Sequence, residues 1–196
     1  MSSVIQNPVG SSTQYLLSEA WSEPRWYAIQ IRARHEKKVE MRLQASQICT
    51  FLPIIRQLHR WSDRLKVIEL PLFSCYLFVH IISCAKIRSI VLHTDGVVGF
   101  VGAAGEGTPV QDAEIRDISL LLKSGTPFNS YPFLQTGRRV RIRGGSLDGI
   151  EGTLVNSRND RKVVVSVELI QRSVAITVDS PNRNKVLSPL IAMRTR

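Results

Sequence analysis

Pro71-Leu72-Phe73-Ser74-Cys75-Tyr76-Leu77-Phe78-Val79-His80-Ile81 reads as a turn that opens into a strand. From Tyr76 to Ile81 the residues are aromatic, aliphatic and β-branched, the types that fit a pleated surface. Tyr76 and Phe78 lie two apart, so they face the same side of whatever sheet the strand joins. Upstream, Phe51 to Trp61 and Leu65 to Leu70 are extended runs around the turn-type tripeptide Ser62-Asp63-Arg64, which predicts a long hairpin with Pro53 near its start. Before it, the recurrence of Val39 and Leu43, and of Met41, Ala45 and Ile48, predicts a helix over Arg34 to Cys49. Trp26 to Ile31 reads as the first strand. Downstream, Ser83 is placed to cap a short helix with Ile87, Ile90 and Val91 on one face. Asp95-Gly96 turns the chain into a strand from Val97 to Val101. A further helix begins near Gln111 or Asp112, carries Ile115, Ile118 and Leu122 on one stripe, and stops at Gly125. Strand, helix, hairpin, strand, helix, strand, helix is the order of an α+β sandwich, helices packed on a mostly antiparallel sheet.

The flanks differ in character. Residues 1–22 are rich in Ser, Gln and Asn without a sustained period and read as a mobile leader, so the first domain spans 23–123. Residues 124–135, with Gly125, Pro127 and Pro132, read as a linker. Over 136–181, Val140 and Ile142, then Val163, Val165 and Val167, then Val174, Ile176 and Val178 alternate with polar neighbours, which predicts short strands of a small all-β barrel. Residues 182–196 are basic without an acid and read as a solvated tail.

Composition sets broad bounds. Lys and Arg total 26 against 16 Asp and Glu, a formal charge of +10 over 196 residues, which favours polyanionic partners without choosing among nucleic acid, acidic protein and anionic lipid. No apolar run is long enough to span a bilayer and no secretory signal opens the chain, so a cytoplasmic protein without a membrane partner is expected. Cys49, Cys75 and Cys84 show no metal-ligand spacing and are expected as buried thiols. No nucleophile motif, phosphate loop or His/Glu metal pair is present in the sequence, so neither enzyme, metal nor cofactor is expected.

Two segments carry a family resemblance. Trp26-Tyr27-Ala28-Ile29-Gln30-Ile31-Arg32, His35-Glu36-Lys37-Lys38-Val39, Phe51-Leu52-Pro53, Trp61-Ser62-Asp63-Arg64, Pro71 to Val79, Gly96 to Gly102 and Pro109-Val110 resemble, in order, the N-terminal (NGN) domain of NusG-like transcription factors. Gly137 to Gly152 with the following valines resembles the KOW barrel, their C-terminal module. The Trp-Ser-Asp-Arg and His-Glu-Lys-Lys stretches look most like the specialised paralogues of the RfaH and UpxY kind. The resemblance implies a ferredoxin-like NGN sandwich linked to an SH3-like KOW barrel, and a monomeric elongation or antitermination factor of the bacterial cytoplasm that travels with polymerase on the nucleoid.

It also implies sites. Tyr76 and Phe78 fall where the family contacts the clamp helices of the largest RNA polymerase subunit, with Leu72 and Phe73, just upstream, expected as additional wall residues; plain core packing is the competing reading. Arg32, Lys38 and Arg42, beside Arg34, His35 and Lys37, match positions that touch the non-template DNA strand; a solvated helix face is the alternative. Ser74-Cys75 replaces the Pro-Gly or Pro-Asn usual before this Tyr, which predicts a relaxed turn, since Cys75 takes positive φ less easily. Ile87-Arg88-Ser89 stands where RfaH-like factors place a gate-loop contact. In the second module Gly145, Gly149 and Gly152 are expected at turns a Cβ would obstruct, Ile150 in the barrel core, and Leu147 at a tip that in the family recruits Rho or a small-subunit ribosomal protein. Arg138, Arg139, Arg141 and Arg143 alternate around Val140 and Ile142 and are expected on the outer face, as an RNA or acidic-partner surface or as a protected strand edge. The alternative to the whole reading is a KOW-containing RNA-binding or ribosome-associated protein that never meets polymerase.

Overall fold

The computed structural model describes residues 23–60, 65–131, 133, 137–156, 161–177 and 186–189. The expected leader and the Ser62-Asp63-Arg64 turn lie outside the described residues. The first unit runs β1 (Arg25–Ile31), α1 (Glu36–Ala45), β2 (Cys49–Phe51), β3 (Ile54–Arg60), β4 (Leu65–Pro71), β5 (Tyr76–Ile81), α2 (Ala85–Leu92), β6 (Val97–Phe100), β7 (Pro109–Val110) and α3 (Asp112–Lys123). Its sheet has the order β2-β5-β1-β6, with β7 also on β1, and every pairing is antiparallel. Among the described residues the hairpin β3–β4 pairs only with itself, from Ile54↔Pro71 to Arg60↔Leu65.

The period of two along β1 and β5 builds two cores on opposite sheet faces. Tyr27, Ile29 and Ile31 with Leu77, Val79 and Ile81 meet Val39 and Leu43 of α1 and Val91 of α2. Ala28 and Phe78, opposite each other in register, pack with Ile115, Ile118 and Leu121 of α3. Each of these large aliphatic side chains contributes about 1.5–3 kcal/mol when fully buried, so the sheet is stabilised from both sides.

Local chemistry moves several boundaries. The first helix stops at Ala45 rather than Cys49, because Gln47 takes φ 61° and Cys49 enters β2. Cys84, not Ser83, is the N-cap of α2 and makes no side-chain cap bond, whereas at the other end His93 Nδ1 lies 2.8 Å from the Ser89 carbonyl and Thr94 Oγ1 donates to the Ile90 carbonyl at 2.9 Å. Cys49 and Cys84 are exposed and Cys75 half-buried, so the expectation of buried thiols fails.

The second unit is all β: β8 (Phe128–Tyr131), β9 (Arg138–Arg143), β10 (Glu151–Asn156), β11 (Arg161–Val167), β12 (Arg172–Thr177) and β13 (Val186–Pro189), in the order β13-β9-β10-β11-β12-β8. Val140, Ile142, Leu147, Ile150, Val163, Val165, Val167, Val174 and Ile176 are buried in it. Val164, of the opposite parity in β11, is buried too and lines a cavity beside α3. Two expectations are corrected. The linker contributes β8, which pairs with β12, and the tail contributes β13, which pairs with β9. A strand edge leaves a row of unpaired amides and carbonyls, and these short segments supply partners for it.

Candidate functional site

The turn before β5 is built by a charge. Cys75 does adopt φ 68°, so the expected relaxation does not occur. Its N–H donates to Glu36 Oε1 at 3.0 Å, and Glu36 is buried at the start of α1. The Tyr76 N–H closes the turn on the Phe73 carbonyl at 3.2 Å, and Ile31 N–H binds the Cys75 carbonyl. A strained left-handed residue is thus pinned from the helix and from β1. Glu36 was not legible as part of this turn, being 39 residues away in the chain.

That turn sets an aromatic sheet face. Phe78 packs edge-on to Phe73 at 6.4 Å and beside Phe51 at 6.1 Å, and Phe51 meets Trp26 at 6.3 Å. Phe73 and Phe78 are buried, Phe78 completely, whereas Leu72 and Tyr76 are half-buried at the margin. Of the four, Leu72 and Tyr76 therefore offer surface, and Phe73 and Phe78 shape it from beneath.

The cationic residues lie along α1 and just before it, with Arg42 in the last turn of the helix. Arg42 donates to the Asp95 carbonyl at 2.7 Å and to Asp95 Oδ2 at 2.8 Å, while Arg32 stands 3.9 Å from Asp95 Oδ1. The Arg42 hydrogen bond, then its charge, then Arg32 and His35, hold the Asp95 carboxyl below the usual range. Gly96 makes this possible: it takes φ 100°, and a Cβ there would stand 2.8 Å from Val39 Cγ2. The Asp95-Gly96 turn thus lies directly on α1. Lys37 donates to Glu69 of the hairpin at 3.0 Å, and that hydrogen bond, with Arg56 on the other oxygen, lowers the Glu69 pKa. Arg34 takes φ 65°, and His35 Nδ1 lies 3.1 Å from the Ala33 carbonyl. Lys38 is exposed and forms no salt bridge among the described residues. The six expected residues share one region, but Asp95 and Glu69 engage three of their charges. Asp-Gly signals a turn in the sequence, and nothing there says which arginines the turn will meet.

Arg88, in the Ile87-Arg88-Ser89 stretch, faces inward. Its guanidinium lies 4.6 Å above the Phe100 ring and donates to Ser83 Oγ and to the Gly105 and Glu106 carbonyls. It braces the loop after β6.

In the β unit Ile150 is buried as expected, but Leu147 is buried too, in the core that includes α3, and is not an exposed tip. Gly145 and Gly149 need positive φ, 72° and 88°, yet a Cβ on either would meet nothing. Obstruction applies to Gly152 alone of the three, within β10, where a Cβ would lie 2.6 Å from both Val163 Cγ1 and the Val164 carbonyl. Arg139 pairs with Glu168 at 3.5 Å and Arg141 with Glu151. Arg138 shares the parity of Val140 and Ile142 and is exposed at the strand's start, so the four arginines do not form one face. Among the described residues no group of His, Cys, Asp and Glu could hold a metal, and no helix is long and apolar enough to cross a membrane.

An aromatic sheet margin and a cationic surface thus lie on an α/β unit that is joined to a small β unit. Residues 24–119 match the family model described as transcription termination factor nusG. The chain is 25% identical over 181 residues to the transcription termination/antitermination protein NusG of Borreliella burgdorferi, covering 82% of this chain and 98% of that protein. It is 28% identical over 167 residues to that of Lactococcus lactis, covering 79% and 89%. A solved structure of Thermotoga maritima NusG aligns over 81% of this chain and 94% of its own, with TM-score 0.46 and 22% identity. The chain is thus NusG-like over most of its length, and the relatives it resembles are transcription termination/antitermination proteins.

Proposed function

We propose that this protein is a transcription elongation and antitermination factor of the bacterial cytoplasm. Its N-terminal unit binds the clamp helices of the largest RNA polymerase subunit, and its cationic helix start contacts the non-template DNA strand. The observation that carries this reading is the NusG match over residues 24–119, the segment that holds both surfaces. An apolar helix seats against the sheet margin through Leu72 and Tyr76, whose rings and branches lose little conformational freedom on binding. Arg34 and Lys38 supply phosphate attraction, and Arg42, whose guanidinium Asp95 orients, presents a plane beside that of Arg32. Bridging polymerase and displaced strand favours the elongating over the paused state, a population shift that raises processivity. The β unit recruits a further partner, Rho or a small-subunit ribosomal protein being the candidates.

Binding to isolated clamp helices tests the reading. Tyr76→Ala and Leu72→Ala are expected to weaken association at least tenfold, about 1.4 kcal/mol, without changing the folded spectrum. Phe78→Ala is not a clean probe, because removing a fully buried Phe costs about 3–5 kcal/mol of stability by itself. No association of the wild type, or association indifferent to both substitutions, would leave a KOW-type RNA-binding or ribosome-associated protein as the better account.

A further inference from the structure

Helix α3 has a second face. Ile115 and Ile118 turn to the sheet core, whereas Glu114 and Asp117 reach the β unit. Asp117 Oδ2 accepts the Glu151 N–H at 3.1 Å, and Glu114 Oε1 accepts the Glu168 N–H at 3.3 Å. These bonds cross between the two units and flank a cavity of about 430 Å³ that Glu114, Asp117, Arg139, Glu151, Ser166 and Glu168 help to line. Asp117 is only 3% exposed, and its Oδ1 has no hydrogen-bond partner, with Arg116 Nε at 3.7 Å.

The charges at this junction do not balance. Glu114, Asp117, Glu151 and Glu168 face Arg116, which stands beside Asp117, Arg139, which pairs with Glu168, and Arg141, which pairs with Glu151. Four carboxyls against three guanidinium groups leave one negative charge in excess in a partly desolvated site, so one proton restores neutrality. The four carboxyls and Arg139 line the cavity, Arg116 and Arg141 standing outside it against Asp117 and Glu151, and no other titratable side chain among the described residues lines it.

We propose that the α3 junction is a proton-linked latch: the β unit docks on Glu114 and Asp117 while the site holds a proton, and docking weakens as the pair ionises. A protonated carboxyl still accepts an amide N–H through its carbonyl oxygen, so the latch bonds survive protonation. Burial, ahead of the facing Glu168 carboxylate, pushes Glu114 from 4.5 up to about 7, and burial also raises Asp117. The direction follows from linkage. A carboxyl whose pKa is higher docked than undocked favours docking on the acid side, and that preference is lost as pH rises through the docked value. For Glu114 the window runs from its ordinary 4.5 to about 7, within reach of cytoplasmic pH. The inference does not depend on polymerase binding.

Hydrogen exchange of the Glu151 and Glu168 amides in the full chain tests it, because these two N–H groups are freed only when the junction opens. After correction for intrinsic exchange, their protection is expected to fall about three- to tenfold from pH 6 to pH 8, relative to amides of β1 and β5. Glu114→Gln, which keeps the acceptor oxygen and removes the charge, is expected to flatten most of that dependence, and Glu114→Gln with Asp117→Asn all of it. Protection that is constant over this range in the wild type, or pH dependence undiminished in the double variant, would overturn the proposal.

Discussion

At the scale of single residues, the conformation of Cys75 and the charge of Glu36 are one device. A left-handed non-glycine residue costs about 1–3 kcal/mol and persists where its surroundings over-determine it. Here the carboxylate of Glu36 supplies the acceptor that fixes the Cys75 amide. Glu36→Ala strands that N–H and is expected to lower stability by about 1–3 kcal/mol, measured by urea denaturation. Cys75→Gly, which removes the Cβ penalty, is expected to leave stability unchanged or raise it by up to about 1 kcal/mol in the same assay. The sequence placed Tyr76 and Phe78 on one face correctly, since a period of two requires it. It did not separate the half-buried Tyr76 from the fully buried Phe78, because burial depends on where α3 and Phe73 come to lie.

At the scale of elements, the hairpin β3–β4 forms a sheet of its own, tied to α1 by the Lys37–Glu69 pair. Among the described residues it pairs with no third strand, and it exposes Leu65 and Val67, while β1 and β5 are covered by helices on both faces. A two-stranded ribbon is marginal without such cover. Amide exchange along Ile55–Arg60 and Leu65–Leu70 is therefore expected to exceed that along β1 and β5 by two or more orders of magnitude. Equal protection would mean that the ribbon is held by contacts other than its own ladder. The hairpin itself was legible from two extended runs around turn residues. Strands β8 and β13 were not: Phe128–Tyr131 and Val186–Pro189 are too short for a period, and they become strands only because neighbouring edges need partners.

At the scale of the whole molecule, the excess of ten positive charges becomes specific only where the fold concentrates it. Arg32 and Arg42 meet at Asp95, which withdraws part of their charge, while Arg34 stands just before α1 and Lys38 on it. If about three of them neutralise phosphates, the logarithm of single-stranded DNA affinity falls with the logarithm of salt concentration at a slope of about −2. Lys38→Ala is expected to make that slope shallower by about 0.7 without destabilising the fold, and an unchanged slope would assign Lys38 to the solvated face.

The sequence by itself determined the α+β order of the first unit, the all-β second unit and the NusG resemblance, because hydrophobic period, turn chemistry and ordered motifs are local and additive along the chain. Tertiary structure alone decided that Leu147 is interior, that Asp95 restrains Arg42, that Glu36 holds the Cys75 turn, and that Glu114 and Asp117 reach the β unit. Each of these is a meeting of residues separated in the chain, and a carboxyl's partner and its desolvation exist only once the backbone has brought both sides together.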